Sequence, residues 1–420
     1  MSASERMSAR ELRAAAGLAG IFGLRMFGLF AILPVFALYA ANLEGGSNHT
    51  LVGIALGAYG LAQAVLQIPF GRWSDRIGRK PVLYAGLVLF AGGSFLAAGA
   101  GSIYGVIAGR IIQGMGAISA VAIAMAADLT REQHRTKVMA IIGSVIGVAF
   151  AASLVLGPWL DRHIGVPGIF VLIGALAIAA MLVVAMLPTA QQIPPGNDRE
   201  LARFDEILRD RELIRLNIGI FVLHAVLMSL FVTVPLDLIA AGLPASAHWQ
   251  VYAAVMGGAF ILMVPAIQFG ERKQRGKPVF LVCIALVAIS QALLWPAAAR
   301  MHALGAGLLV FFVGFMVLEA QLPAFVSRAA PANGRGAAIA VYSTVQFLGA
   351  FCGGALGGWM LEHIGRGALY LANVILLSVW FVAARNMRII DALNARVRAS
   401  AAQPGSSDLQ SSAGEGSWHR

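Results

Sequence analysis

Long apolar stretches dominate the chain, and short polar segments separate them. A membrane-spanning helix needs about 20 apolar residues, because the hydrocarbon core of a bilayer is about 30 Å thick and each helical residue rises about 1.5 Å. The pattern therefore predicts an all-α membrane protein of twelve transmembrane helices, which we number as spans 1–12. They cover roughly residues 14–41, 50–71, 81–100, 103–127, 137–160, 166–187, 213–240, 247–270, 278–298, 303–326, 337–361 and 367–387.

The longest polar segment connects spans 6 and 7. It begins with Pro194, Pro195 and Gly196 and continues with charged residues, among which apolar side chains recur at helical spacing: Leu201, Phe204, Ile207 and Leu208. This spacing predicts a short amphipathic helix on the membrane surface. The predicted organisation is a cytoplasmic N-terminal segment (1–13), a six-helix bundle (14–187), a linker (188–212), a second six-helix bundle (213–388) and a disordered cytoplasmic tail (389–420).

Basic residues lie almost entirely on alternate loops. If the N-terminus is cytoplasmic, the outer loops hold only Arg162, Arg300 and Arg366, while Arg25 and Arg110 lie within spans. The other 26 of the 31 basic residues then lie on the inner side. Loops rich in Lys and Arg remain in the cytoplasm, so both termini are predicted to be cytoplasmic. The net charge of +11 is therefore a topology signal and does not indicate nucleic-acid binding.

Composition supports lipid as the solvent for much of the surface. Hydrophobic residues make up 59% of the chain and charged residues 12%, whereas soluble domains average about 45–50% and about 25%. The two cysteines, Cys283 and Cys352, fall inside apolar runs and are predicted to be free thiols. No metal-ligand spacing is visible, and the sequence predicts no cofactor.

Two segments 200 positions apart resemble each other. Residues 156–165 read Leu-Gly-Pro-Trp-Leu-Asp-Arg-His-Ile-Gly, and residues 356–365 read Leu-Gly-Gly-Trp-Met-Leu-Glu-His-Ile-Gly. Six of the ten positions agree, and each segment ends the fifth span of its half. Parallel repeats of this kind are typical of transporters whose substrate site lies between two bundles near the membrane midplane.

The most specific motif runs over residues 71–81 and reads Gly-Arg-Trp-Ser-Asp-Arg-Ile-Gly-Arg-Lys-Pro. It resembles the signature loop of the major facilitator superfamily, Gly-x-x-x-Asp-Arg-x-Gly-Arg-Lys, which joins spans 2 and 3. The resemblance covers about residues 14–388, and within the family the chain is most similar to the YajR-type bacterial inner-membrane transporters. That similarity includes residues 128–133 and 342–349.

The resemblance implies a conformational latch built from seven residues: Gly71, Asp75, Arg76, Gly78, Arg79, Lys80 and Asp128. The resemblance places Asp75 beside the N-terminus of span 11, near Gly336, where a helix dipole favours an anion. Arg79 is expected to pair with Asp128. Together these contacts would hold the two bundles when the cavity opens outward. The alternative is that the charges only follow the rule that basic loops stay inside.

Residues 110–114 in span 4, Arg-Ile-Ile-Gln-Gly, resemble a second family motif, which the family associates with proton coupling. An arginine within a span usually faces a cavity; the alternative is that the long side chain of Arg110 reaches the outer interface. Span 5 matches the antiporter motif of the family only in part, since Leu160 and Asp161 replace an expected glycine pair. Its small residues are explained equally well by helix packing.

Three further ionisable residues lie deep within spans: Arg25, His224 and Glu319. All three lie about 12–17 Å from the inner ends of their helices, and the resemblance implies that spans 1, 4, 7 and 10 line the central cavity. Histidine titrates near neutral pH, and Glu319 is the sole carboxylate well inside the hydrocarbon. Glu319 and His224 are therefore the predicted proton-carrying pair, with Arg110 contributing to coupling. The alternative is a structural ion pair.

Five polar side chains are predicted to line the substrate cavity: Arg25, Gln113, Asn217, Tyr342 and Gln346. Taken alone, each of the uncharged four is better explained by an interhelical hydrogen bond than by contact with a ligand. Many drug-efflux members of the family carry an acidic residue in span 1, where this chain has Arg25. The excess of positive charge favours a neutral or anionic substrate.

The sequence thus favours proton-coupled transport of a small organic solute by alternating access. Efflux is preferred, and symport or facilitated uptake is the alternative. The predicted partners are the solute, protons and the lipid bilayer, and the chain is predicted to act as a monomer in the bacterial inner membrane. A membrane enzyme is disfavoured because no HExxH, GxSxG or Walker A motif is present. A sensor is disfavoured because no soluble domain exceeds a loop.

Overall fold

A computed structural model describes residues 7–188, 205–272, 275–295, 300–331 and 334–387. Within these ranges eleven helices are long and apolar enough to cross a membrane. The predicted tail and most of the predicted linker lie outside the described residues. At the end of the linker, residues 205–209 are helical, with Ile207 buried and Leu208 56% exposed, as an amphipathic helix requires.

The observed helices occupy the positions predicted from the apolar runs. Their bounds are Ala9–Phe30 and Leu33–Ala40 (span 1), His49–Ile77 (2), Arg79–Ala98 (3), Ile103–Met115 and Ser119–Asp128 (4), Glu132–Met186 (5 and 6), Arg211–Ala240 (7), His248–Arg272 (8), Gly276–Leu294 (9), Met301–Ala329 (10), Arg335–His363 (11) and Arg366–Arg385 (12). We use inner and outer for the two ends of this bundle in the sense predicted from the basic loops.

Spans 5 and 6 form one run of 55 helical residues, Glu132–Met186. At about 1.5 Å per residue this run exceeds twice the thickness of the hydrocarbon. Gly165, with φ +68°, breaks it into arms over residues 132–164 and 166–186, so the eleven helices contain the twelve predicted spans. Gly365, with φ +110°, separates spans 11 and 12 at the matching position of the repeat.

The two repeated segments also share their side-chain arrangement. The rings of Trp159 and His163 lie 4.5 Å apart, and those of Trp359 and His363 lie 5.2 Å apart. In both pairs the histidine Nδ1 contacts the tryptophan carbonyl, at 2.7 Å and 3.0 Å. The sequence repeat is therefore a structural repeat, and both tryptophans are partly exposed at the outer end, where such residues anchor a membrane protein.

Spans 2 and 11 pack closely at the outer end through glycine. A Cβ atom on Gly53 would lie 1.9 Å from the carbonyl oxygen of Gly354, and one on Gly358 would lie 2.2 Å from that of His49. Only glycine permits such an approach of two backbones. Glu362 Oε2 also accepts a hydrogen bond from the His49 backbone N–H at 2.7 Å. The first and second halves of the chain are therefore in contact at the outer end.

Candidate transport site

The signature motif forms a charged cluster at the inner end. Span 2 remains helical through Ile77, and Gly78, with φ +98°, makes the turn that places Arg79 at the start of span 3. From there Arg79 donates to Asp75 Oδ1 at 2.5 Å and, through Nε, to Asp128 Oδ2 at 2.9 Å. The structure thus brings together the three charges expected to form the latch.

The other residues of the motif surround this cluster. Arg76 is exposed, Lys80 donates to the Ala185 carbonyl at 3.4 Å, and Gly71 is a helical position that faces Ala120 of span 4. Gly71 therefore serves helix packing, and Gly78 alone makes the turn.

The expected contact between Asp75 and span 11 is absent in this conformation. The Asp75 side chain is 40% exposed, and a Cβ on Gly336 would meet no atom within 4 Å. The resemblance places that contact in the outward-open state, whereas here spans 2 and 11 meet at the outer end. The contact remains a prediction for the opposite conformation.

A second charged contact lies beside this cluster and was not predicted. The buried carboxylate of Glu11 accepts hydrogen bonds from the backbone N–H, Nε and Nη2 of Arg131 at 2.9–3.0 Å. Ser8 and Glu11 also form a capping box that begins span 1. The Ser-x-x-Glu spacing was a readable signal for the helix start, but nothing in it named Arg131 as the partner.

The predicted proton pair meets in the second half of the chain. His224 Nε2 of span 7 lies 3.9 Å from Glu319 Oε2 of span 10. Gln346 of span 11 lies between them, with its Nε2 2.9 Å from His224 Nε2 and 3.0 Å from Glu319 Oε1. His224 precedes Gln346 by 122 positions and Glu319 precedes it by 27, yet the three side chains form one cluster. Their role in proton transfer stays a prediction.

Local features of spans 10 and 11 shape this cluster. Pro323 has no backbone N–H, so the carbonyl of Glu319, four residues earlier, has no helical donor. Phe315, one turn before Glu319, places its ring 5.8 Å from that of His224. Tyr342 lies one turn before Gln346 on the same face of span 11.

Several buried polar atoms in this region have no hydrogen-bond partner: Glu319 Oε2, His224 Nδ1, Tyr342 Oη and Asn217 Oδ1. Buried polar atoms are nearly always paired in native proteins. The Glu319 side chain is also 34% exposed, whereas that of His224 is 6% exposed. The region therefore holds unused hydrogen-bonding groups around a carboxyl side chain that is partly exposed.

Arg25 was expected to line the cavity, but in the conformation described it is buried, so that role stays a prediction. The residue is 2% exposed and connects three spans of the first half. It donates to Ser119 at 2.7 Å, to Tyr59 and Gln63 at 2.9 Å each, and to the carbonyl of Gly116 at 3.2 Å. Span 4 is interrupted between Met115 and Ser119, so Arg25 binds polar groups that the break leaves without helical partners.

Arg110 is fully buried beside this cluster. It donates to Gln113 Oε1 at 2.6 Å and to the carbonyls of Ala55 and Leu56 in span 2, and its guanidinium lies 5.1 Å from the ring centre of Tyr59. The side chain therefore does not reach the outer interface, and that alternative is wrong. Gln113 is also buried, so here it makes an interhelical contact and does not line a cavity.

Sequence reasoning also missed the polar contact between Gln67 and span 11. Gln67 of span 2 donates to Thr344 Oγ1 at 2.5 Å and to the Ala340 carbonyl at 3.2 Å in span 11. An amide within an apolar span was a readable signal, since such groups commonly bind across helices. The partner span was not readable from the sequence.

Comparison with known proteins places the chain in a family. The protein-family model whose description is Major Facilitator Superfamily matches residues 18–353 of this chain. The chain is 44% identical over 386 residues to the inner membrane transport protein YajR of Escherichia coli (strain K12), covering 91% of this chain and 85% of that protein. It is 34% identical over 139 residues to the class E tetracycline resistance protein of Escherichia coli, covering 33% and 34%.

Solved structures agree with the fold. The D-xylose–proton symporter superposes with a TM-score of 0.71 at 16% identity, covering 90% of this chain and 97% of that one. The family match spans most of the chain, and the charged cluster of its signature motif is intact. The protein is a transporter of a small solute rather than an enzyme, and it belongs to the major facilitator superfamily.

Proposed function

We propose that the protein is a proton-coupled transporter that exports a small organic solute across the bacterial inner membrane by alternating access. The observation that carries the proposal is the contact of His224 and Glu319 through Gln346. A transporter driven by protons needs a group that is protonated in one state and ionised in the other. An ionisable group inside a membrane is costly and is usually retained for function.

The two members of the pair have different access to their surroundings. Glu319 is partly exposed and accepts one hydrogen bond at Oε1, while its Oε2 is buried without a partner in this state. His224 is buried behind it. This arrangement supports Glu319 as the group that exchanges protons and His224 as the group that tunes the exchange.

Alternating access requires two sets of contacts that exclude each other. The glycine contact of spans 2 and 11 closes the outer end here, while Asp75 is free of span 11 at the inner end. In the opposite state the latch would close the inner end and the glycine contact would open. The structural repeat at Gly165 and Gly365 supports two bundles, 14–187 and 213–388, as the parts that move.

The charge inside the bundle supports a neutral or anionic solute. Arg25 and Arg110 are buried against neutral acceptors, with no carboxylate hydrogen-bonded to either among the residues described. A buried charge without an opposite charge is unfavourable. A lipophilic cation would add to this imbalance.

Relatives named for drug resistance support efflux. The tetracycline resistance protein and the multidrug resistance protein MdtL of Klebsiella pneumoniae (strain 342) each match about a third of the chain. Symport or facilitated uptake is the second candidate, because Leu160 and Asp161 depart from the antiporter motif.

A thermal-shift screen of purified protein across solute classes would identify the ligand, since binding to the native state raises the melting temperature. Proteoliposomes loaded with that ligand then test the function. An imposed pH gradient should drive accumulation against the solute gradient. Transport that only equilibrates the solute would refute proton coupling.

A further inference from the structure

The amide of Gln346 contacts both members of the proton pair, and its helix also contacts the first half of the chain. We infer that Gln346 is a positioning residue that senses the proton content of Glu319 and His224 and transmits it to the contact between spans 2 and 11. This inference rests on the proposed function, in which the pair carries protons.

The hydrogen-bond directions follow from the chemistry of the groups. Gln346 Nε2 has two hydrogens and can only donate. One hydrogen bond goes to Glu319 Oε1 at 3.0 Å and the other to His224 Nε2 at 2.9 Å. The carboxylate oxygen and the imidazole nitrogen must therefore both be acceptors. The arrangement fits an ionised Glu319 and a neutral His224 with its hydrogen on Nδ1.

Protonation reverses these directions. A hydrogen on Glu319 Oε1 or on His224 Nε2 would point at the amide nitrogen, which cannot accept it. The side-chain amide of Gln346 can then rotate by half a turn, which exchanges its nitrogen and oxygen and presents the carbonyl oxygen to both groups. The same three residues thus have two satisfied arrangements, one for each proton content. A proton on Glu319 alone is enough, because neutral His224 can then carry its single hydrogen on Nε2 and donate it to the turned amide. The amide therefore has two discrete positions.

The ionisable groups that surround Gln346 are those of the proton pair, His224 and Glu319, together with one phenol. Span 7 contributes His224, span 10 contributes Glu319, and span 11 itself contributes Tyr342, one turn before Gln346. Phe315 covers His224 with an apolar ring. Among the described residues, no lysine, arginine or aspartate forms a hydrogen bond or ion pair with these groups.

Span 11 connects the amide to the contact between the two halves. Thr344, two residues before Gln346, accepts the hydrogen bond from Gln67 of span 2 at 2.5 Å. Farther along span 11, Gly354 and Gly358 make the close backbone contacts with span 2. A change at Gln346 therefore acts on the helix whose contacts with span 2 would open in the opposite state.

The test replaces Gln346 with a residue of similar length that cannot form these hydrogen bonds. In protein without native cysteines, spin labels at the exposed inner positions Leu12 and Arg328 report the distance between the halves. The labelled parent should change its distance distribution between pH 5 and pH 8, without any ligand. Gln346→Met should abolish this response. Gln321→Met, the same substitution on span 10, should retain it.

A second variant covers the case in which Gln346→Met does not fold. Gln346→Asn keeps the amide but is one methylene shorter, so it cannot contact both partners and should weaken the response. A parent without a pH response, or a folded Gln346 variant with the full parental response, would overturn the inference. Glu319→Gln separates the two claims: if it keeps the response, the proposed proton carrier is wrong. If it loses the response while Gln346→Met keeps it, only the role of Gln346 is wrong.

Discussion

Arg79 donates from Nε to Asp128 Oδ2 at 2.9 Å, across the inner ends of spans 3 and 4. The same guanidinium holds Asp75 through Nη1. Asp75 thus has one partner within its own half and an exposed side that no residue of span 11 covers in this state. This geometry would allow Asp75 to contact the N-terminus of span 11 in one state and to separate from it in the other.

Asp75→Asn should favour the inward-open state. The substitution removes the anion that would face the N-terminus of span 11, a contribution of up to about 1 kcal/mol at a helix end. Distances between spin labels at Leu12 and Arg328 should lengthen, while expression stays normal. Glu132→Gln, which neutralises an exposed carboxylate at the inner end of span 5 outside the motif, is the control. Unchanged distances in Asp75→Asn would mean that Asp75 serves only membrane topology.

Glu11→Gln should destabilise the inner end of the first half. Both carboxylate oxygens are hydrogen-bonded, and the neutral amide replaces one acceptor with a donor that faces Arg131. The melting temperature in detergent should fall by about 2–4 °C. Glu132→Gln, an exposed carboxylate one residue after Arg131, should leave it unchanged. Equal melting temperatures for both variants would refute a stabilising contact.

Gly53→Ala should open the outer end. Its Cβ would lie 1.9 Å from a backbone oxygen of Gly354, which cannot move without separating spans 2 and 11. Outward-open protein should therefore gain population, measured with spin labels on the outer loops. Gly143→Ala adds the same methyl group where no atom lies within 4 Å and should change nothing. A closed outer end in Gly53→Ala would contradict the packing described.

Glu319→Gln should uncouple transport from protons. The amide has almost the shape of the carboxylic acid but cannot ionise. Downhill exchange of the solute should survive, while accumulation driven by a pH gradient is lost. His224→Ala should shift the pH dependence of transport without abolishing binding. If Glu319→Gln still concentrates the solute under a proton gradient alone, another group carries the proton.

Reporter fusions test the topology. Fusions at Gly46 and Gly101 should report the outside, and fusions at Gly196 and Gly276 the inside, because the basic loops remain in the cytoplasm. A reversed signal at any of these positions would contradict the twelve-span arrangement with both termini inside.

Features that depend on local sequence were accessible without the structure. The length of an apolar run decides whether a helix can cross the bilayer, so the spans were predictable, including the pair within Glu132–Met186. The repeat predicted the equivalence of Gly165 and Gly365, where both backbones adopt positive φ. Arg79 and Asp128 were paired correctly through the family motif. Few ionisable residues lie inside the spans, and this alone singled out His224 and Glu319 as the predicted proton-carrying pair.

Only the tertiary structure decided which side chains meet. A helix that is apolar on every face carries little periodicity, so its rotation and its neighbours cannot be read from hydrophobicity. Gln346 therefore looked like any polar wall residue, although it joins His224 and Glu319. Arg25 looked like a cavity residue, although it turns into the break of span 4. Their partners lie on other spans, and packing between helices brings them within hydrogen-bonding distance.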